Sequence, residues 1–93
     1  MQNTQPASPG RIVLYAFEGA EETLHERPAI VVRVWSPKDP GGCVQLHVFV
    51  DGSNDAGLLY KGESGVSVYR TSVAPADDQD VPQANRWRWP PRV

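Results

Sequence analysis

The sequence predicts a small, mainly β domain, an antiparallel barrel or sandwich of four to six short strands with one short helix. Three observations lead to this prediction. Several short runs are rich in valine, isoleucine and aromatic residues and alternate apolar with polar positions, as half-buried strands do. Nine prolines and eight glycines in 93 residues fall mainly between these runs and favour tight turns. Only one segment has a helical pattern.

The first predicted strand covers residues 11–17 (RIVLYAF). It follows a polar, proline-containing segment, residues 1–10, which we expect to be a flexible leader to a single β domain over residues 11–93. The helical candidate is residues 18–26 (EGAEETLHE), whose acids lie near its start, where the helix dipole favours them. Pro28 would limit this helix to about two turns.

Two longer runs predict a central hairpin that is joined by a turn at residues 37–42 (PKDPGG). The strand at residues 28–36 places alternate side chains on two faces, Ile30, Val32 and Val34 against Val31, Arg33 and Trp35. The strand at residues 43–51 does the same, with Val44, Leu46, Val48 and Val50 against Gln45, His47, Phe49 and Asp51.

The second half of the chain alternates loops with short strands. We expect a loop at residues 51–57, a brief strand at 58–60, a turn at 61–65, a strand at 66–73, an acidic loop at 74–84 and an edge strand within 85–93. In the strand at 66–73, Val66, Val68 and Arg70 face one way, and Ser67, Tyr69 and Thr71 face the other.

Composition excludes several classes of function. The net charge of -2 and the pI near 5.5 argue against binding of polymeric nucleic acid, and no apolar run approaches the roughly 20 residues of a membrane span. The single cysteine, Cys43, and the polar start of the chain fit a reducing cytoplasm.

Neither a metal site nor a catalytic site is expected. His25 and His47 belong to different elements, and on a strand Cys43 and His47 would lie about 13 Å apart, too far to share a metal. Cys43 follows two glycines, but it fits a small apolar residue at a strand start better than a nucleophile. We therefore expect no cofactor, no metal and no enzymatic activity.

The loop that begins at Asp51 has three interpretations. Its sequence, DGSND, resembles the start of a calcium loop, but it lacks the glutamate that should follow and the flanking helices. A tight turn is the simplest interpretation. The third is a recognition loop in which Asn54 and Asp55 bond a ribose hydroxyl or the edge of a base.

Arginines and aromatic residues are the best candidates for ligand contacts. Arg33 and Arg70 lie in mid-strand, where an exposed side chain or an ion pair is the simplest interpretation, but a guanidinium fork also suits a phosphate. Trp87 and Trp89 either anchor the tail onto the domain or line a pocket.

Four segments resemble a family of small phage and prophage proteins: RPAIVVRVW at 27–35, VQLHVFVDGSND at 44–55, RTSV at 70–73 and WRWP at 87–90. The match covers most of residues 11–90, although the short segment at 17–27 departs from the longer relatives. The pattern is similar to the first-described type of Thoeris anti-defence proteins. The resemblance implies a sponge that sequesters cyclic ADP-ribose signals, and in some members cyclic oligonucleotides, without cleaving them. It also implies a homo-oligomer, a dimer or a hexamer.

The leading hypothesis is therefore a phage counter-defence protein in the host bacterial cytoplasm that binds a small anionic nucleotide. Arg33, Arg70 and Arg88 would hold phosphates, and Phe49, Tyr69 or Trp87 would stack on a base. The expected contacts to ribose or base polar groups are Asn54, Asp55, Thr71 and Ser72. The alternative is a protein-interaction module, such as a small virion component or an inhibitor of a host enzyme, with the tryptophan tail as its anchor.

Overall fold

The computed structural model describes residues 6–35 and 42–91, which form one antiparallel sheet. Its strands are β1 (Ile12–Glu18), β2 (Leu24–Val34), β3 (Val44–Phe49), β4 (Ser67–Val73) and β5 (Trp87–Arg88), and a 3₁₀ turn at Ala20–Glu22 joins β1 to β2. The strand order across the sheet is β4-β3-β2-β1-β5. The mainly β class and the expected number of strands are confirmed, and the strand ladders do not close into a barrel.

The two edges of this sheet nevertheless meet. Trp87 pairs with Tyr15 of β1, and its backbone also forms a parallel bridge with Pro75, just after β4. The Trp87 N–H donates to the Ala74 carbonyl at 3.1 Å, and the Ala76 N–H donates to the Trp87 carbonyl at 2.7 Å. In a flat sheet β4 and β5 would lie about 19 Å apart, so the sheet is strongly curled around its core.

Of the helix or helical turn predicted at 18–26, only the 3₁₀ turn at Ala20–Glu22 forms, and the two-turn helix does not. β1 and β2 form a hairpin in which Phe17 faces His25, and the turn between them has Glu21 and Glu22 in the left-handed region, at φ 62° and 58°. The Gly19 N–H donates to the Thr23 carbonyl at 2.8 Å and closes the turn. Strand pairing from residue 24 onwards outweighs the weak helical preference of two acids near a helix start, so β2 begins four residues before Pro28.

The other predicted strands are confirmed near their expected positions, and residues 87–88 form the edge strand. Residues 58–60 do not form a strand, because the N–H groups of Leu58 and Leu59 both donate to the Asp55 carbonyl in a turn. Only a single bridge joins Ala56 to Leu59 there. Nearly all of the predicted turn at 37–42, and residues 1–5 of the predicted leader, lie outside the described residues.

The predicted alternation is confirmed in β3, where Val44, Leu46 and Val48 are fully buried. In β2 it is wrong after Val31. A bulge between Val31 and Arg33 shifts the register, so that Val31 is buried in the core, whereas Val32 and Arg33 are exposed. The extra residue interrupts the alternation of buried and exposed side chains along β2. The pattern of apolar residues in the sequence does not indicate this bulge.

The core lies on one side of the curled sheet, under the loops that follow β3 and β4. Trp87 and Trp89 are buried in it and contact each other edge to face at 5.7 Å. Ala7 is also buried, and the Gly10 N–H donates to the Val31 carbonyl at 2.7 Å, so the described part of the predicted leader packs against β2. Within the described ranges, no helix has the length and hydropathy of a membrane span.

Candidate ligand-binding face

The side of the sheet opposite the core, called here the outer face, carries several exposed aromatic and apolar side chains. In β3 and in β4 every second residue is buried, so the residues that alternate with the buried ones point outward. Phe49, Tyr69 and Trp35 are 37%, 45% and 47% exposed. The outer face comprises Ile12, Ile30, Arg33, Trp35, Gln45, His47, Phe49, Ser67, Tyr69 and Thr71.

One row of the outer face crosses four strands in register. Ile12 pairs with Ile30, Ile30 with His47, and His47 with Tyr69. The rings of His47 and Tyr69 lie 5.6 Å apart at 57°, and the Ser67 hydroxyl lies 3.4 Å from Nδ1 of His47. This row offers an apolar and aromatic surface on which a flat ring can stack.

Arg33 lies in the neighbouring row. It pairs with Gln45, whose Oε1 accepts a hydrogen bond from the Thr71 hydroxyl at 3.0 Å. The Arg33 guanidinium lies 4.1 Å from the centre of the Trp35 ring. Arg33 is exposed, and none of the described carboxylates forms an ion pair with it.

Arg33 also stands at the rim of a pocket of about 380 Å³. The pocket lies between residues 6–9 and the end of β2, and the other residues that line it are Pro6, Ala7, Ser8, Pro9, Val32 and Val34. Its walls are mostly apolar, and a ligand of that volume would be comparable with a small nucleotide. A charged donor therefore lies beside preformed apolar space.

Five of the ten predicted site residues lie on or beside the outer face. Arg33, Phe49, Tyr69 and Thr71 belong to it, and Ser72 follows at the surface with φ 55°, its hydroxyl 3.5 Å from that of Thr71. These residues come from three neighbouring strands, so the sheet brings them together. The predicted separation of Tyr69 and Thr71 from Arg70 is confirmed, but Ser72, which strict alternation would place with Arg70, is exposed.

Arg70 points to the opposite side and is only 7% exposed. Its Nη1 and Nη2 donate to the Glu63 carboxylate at 2.9 and 2.7 Å, and the guanidinium also donates to the carbonyls of Tyr69 and Leu58. The Glu63 hydrogen bonds raise the pKa of Arg70, and Arg70 lowers the pKa of Glu63 to about 2. In the described structure Arg70 joins a loop to the sheet and does not reach the outer face.

Trp87 and Arg88 also have structural partners. Trp87 is fully buried, so its ring has no open face for a ligand. Arg88 donates from Nε and Nη2 to the Glu26 carboxylate at 2.7 and 2.8 Å, and these bonds raise the pKa of Arg88. The two residues hold the tail against β1 and β2.

Asn54 and Asp55 lie at the far end of the sheet from Arg33. The Asp55 carboxylate accepts the N–H groups of Asp51 and Gly52 at 2.8 and 2.9 Å, which is the hydrogen bonding of a tight turn. The Asn54 carbonyl accepts a hydrogen bond from Arg27, six residues before Arg33 in β2, or about 20 Å along the strand. One small ligand in one subunit cannot touch both ends.

The outer face includes residues that the sequence did not single out as binders, namely Gln45 and His47. The strand alternation that placed Phe49 with Gln45 and His47 was the available signal. No known family model matches the chain, and neither the curated proteins nor the solved structures include one that is significantly similar to it.

Proposed function

We propose that the protein binds a small anionic nucleotide at the outer face, around Arg33, and sequesters it without converting it. The observation that carries the proposal is the exposed side chain of Arg33, whose guanidinium lies over the Trp35 ring and next to a row of exposed rings. Four other arginines of the described structure, Arg27, Arg70, Arg86 and Arg88, form ion pairs with carboxylates.

The position of Arg33 over the Trp35 ring supports phosphate binding in particular. The planar fork of a guanidinium can form two parallel hydrogen bonds to phosphate oxygens. Each charge-assisted hydrogen bond of this kind contributes about 1.5–3 kcal/mol. The hydroxyl of Thr71 and the amide of Gln45 lie in the same row and provide neutral partners.

The spacing of the rows supports a nucleotide over a simple anion. The row of Tyr69 and His47 lies about 7 Å along the strands from the row of Arg33 and Gln45. A base stacked on Tyr69 could therefore leave its phosphate beside Arg33, whereas Phe49 lies two residues further along β3, about 14 Å from the row of Arg33. Alternatively, the base could enter the apolar pocket that Arg33 borders.

Within this proposal, the ligand is a cyclic nucleotide immune signal, either a cyclic ADP-ribose isomer or a cyclic oligonucleotide. The protein acts as a phage counter-defence sponge in the cytoplasm of the host bacterium and assembles as a homo-oligomer. The resemblance of residues 27–35, 44–55, 70–73 and 87–90 to anti-defence proteins motivates this choice. The net charge of -2 favours a small ligand over polymeric nucleic acid.

Calorimetric titration with a panel of cyclic ADP-ribose isomers and cyclic oligonucleotides tests the proposal. We expect one member of the panel to bind and to be recovered chemically intact when the protein is denatured by heat. Absence of binding across the panel, or recovery of a cleaved product, would contradict it.

A protein-interaction module remains the second candidate, and one observation favours it. Ile12, Val32, Phe49 and Tyr69 are exposed apolar or aromatic side chains on or next to the outer face, and a patch of this kind is typical of interfaces. The sequence suggested the tryptophan tail as the anchor for a partner, but Trp87 and Trp89 are buried and cannot contact one. The outer face would therefore be the contact surface. Light scattering after size exclusion distinguishes self-association from a monomer that awaits another partner.

A further inference from the structure

A second pocket lies at the other end of the sheet, between the β1–β2 turn and the loop at residues 51–57. It has a volume of about 250 Å³, and the residues that line it are Ala20, His25, Ser53, Asn54 and Ala56. We call it the hairpin pocket. His25 precedes Arg33 by eight residues in β2, or about 26 Å, so this pocket is separate from the site proposed above.

Two contacts hold the loop at residues 51–57 close to the β1–β2 hairpin. Gly57 has φ +90°, and a Cβ at this position would lie 2.1 Å from the Glu18 carbonyl oxygen, so only glycine permits the approach. Arg27 Nη2 donates to the Asn54 carbonyl at 2.6 Å, while the Arg27 guanidinium lies 5.1 Å from the centre of the Phe17 ring. The walls of the hairpin pocket are therefore formed before any ligand arrives.

The imidazole of His25 packs between Phe17 and Gly19 and has no polar partner in the part of the chain that the structure describes. Its ring stacks on the buried ring of Phe17, with centroids 5.5 Å apart at 25°, and a Cβ on Gly19 would lie 2.6 Å from it. Among the described residues, none forms a hydrogen bond with either ring nitrogen. A half-buried, oriented imidazole of this kind offers one donor and one acceptor when it is neutral.

Two further acceptors belong to residues that line the same pocket. The Asn54 amide donates from Nδ2 to Asp51 at 3.3 Å, and no described donor satisfies its Oδ1. The Ser53 hydroxyl donates to Asp51 at 3.1 Å and keeps its lone pairs. The hairpin pocket thus combines one donor and three acceptors with the methyl groups of Ala20 and Ala56.

The charges around the hairpin pocket disfavour an anion. Glu18, Glu21 and Glu22 flank the turn, and among the described residues Arg27 compensates the two acids of the loop, Asp51 and Asp55. Those two acids are already engaged with backbone N–H groups, side chains or Arg27. The groups left for a ligand are an imidazole, an amide oxygen and a hydroxyl, and hydroxyl groups match them because each can donate and accept.

We propose that the hairpin pocket binds a neutral, hydroxyl-bearing ring, a single pentose or hexose. The volume of the hairpin pocket is smaller than that of pockets that hold drug-sized ligands, so the pocket suits a single sugar ring. The hydroxyl groups bond His25, Asn54 and Ser53, and the C–H face of the sugar contacts the two alanine methyl groups. The left-handed conformations of Glu21 and Glu22, beside Ala20, are strain of the kind that concentrates at binding sites.

Titration of the ¹⁵N-labelled protein with methyl β-D-ribofuranoside and with methyl α-D-glucopyranoside tests this proposal. We expect saturable shifts of the amide signals of residues 20, 25, 53, 54 and 56 with at least one of the two. His25→Phe keeps a ring stacked on Phe17 but lacks both nitrogens, so the saturable shifts should disappear. His47→Phe, which changes the other histidine of the chain, should leave them intact.

Asn54→Ala is the second variant, because it removes Oδ1 but keeps the carbonyl that Arg27 binds. We expect it to weaken sugar binding at least several-fold, and it decides the matter should His25→Phe fail to fold. Wild-type affinity in either folded variant would overturn the proposal. So would the absence of saturable shifts with both sugars, or tighter binding of inorganic phosphate at the same amides.

Discussion

Arg70 and Glu63 lie 2.7 Å apart, from Nη2 to Oε1, and their ion pair fastens the loop at residues 58–63 to the core side of β4. Arg70 also donates to the Leu58 carbonyl within that loop, and its guanidinium lies 4.0 Å from the centre of the Tyr60 ring. The most buried arginine of the described structure is thus a structural connector.

Stability should depend on pH through Glu63. Its pKa is lowered from 4.5 to about 2 in the folded protein, mainly by the hydrogen bonds from Arg70. The unfolded chain binds the proton at the higher pH, so this contribution is complete above pH 4.5 and is lost as the pH falls towards 2. Urea unfolding should show wild type losing its advantage over Glu63→Gln in that interval. A constant difference between the two proteins from pH 6 to pH 2 would contradict this.

Arg70→Ala should destabilise the fold and spare the outer face. The substitution leaves the Leu58 and Tyr69 carbonyls without their charged donor, which costs about 2–3 kcal/mol. Arg70→Lys should recover little, because one ammonium group cannot reproduce the guanidinium fork. Under conditions in which both variants are folded, any ligand of the wild type should bind with unchanged affinity. A loss of binding in the folded Arg70→Lys protein would place Arg70 in the site.

The β1–β2 turn offers a test of the hairpin itself. Two consecutive residues with φ near +60° suit Asn-Gly, whereas Glu21 and Glu22 pay a steric cost there. The double variant Glu21→Asn with Glu22→Gly should therefore raise the free energy of unfolding by roughly 1–2 kcal/mol. If residues 18–26 were helical instead, the same change would lower stability, because asparagine and glycine are poor helix formers.

Two glycines with the same backbone conformation should respond differently to alanine. Gly57 and Gly62 have φ +90° and +89°, but a Cβ at Gly57 would collide with the Glu18 carbonyl, and one at Gly62 meets nothing within 4 Å. Gly62→Ala should cost about 1 kcal/mol for the left-handed conformation alone. Gly57→Ala should cost clearly more, because the loop must also move away from the hairpin. Equal melting temperatures for the two variants would show that the close approach is absent.

The strands could be predicted because one face of each is buried. In β3 every second residue, from Val44 to Val48, must be apolar, and this pattern is visible without a structure. The burial of Trp87 and Trp89 in the core agrees with the simpler of the two interpretations of the tail, that these residues anchor it onto the domain. The outer face follows from the same alternation, so Phe49, Tyr69 and Thr71 could be placed together.

The features that the sequence missed depend on contacts between distant segments or on the local backbone. The two left-handed positions of the β1–β2 turn are Glu21 and Glu22, and neither is the glycine or asparagine that would indicate such a turn in a sequence. The bulge after Val31 turns Arg33 from the core side to the outer face, and the amino-acid composition of β2 gives no sign of this bulge. The partner of Arg70 comes from a loop that folds back under the sheet, so Glu63 was not identifiable from spacing.

The central claim is that Arg33, and no other described arginine, holds the anionic part of a small nucleotide. Arg11 provides the matched control, because its guanidinium also lies over a tryptophan ring, at 5.0 Å from the centre of Trp89, but away from the outer face. The decisive measurement is calorimetric titration of wild type, Arg33→Ala and Arg11→Ala with the panel of cyclic nucleotides. We expect Arg33→Ala to weaken binding by roughly 10- to 150-fold, the equivalent of about 1.5–3 kcal/mol, and Arg11→Ala to leave it unchanged. Equal affinity in wild type and in folded Arg33→Ala would contradict the claim.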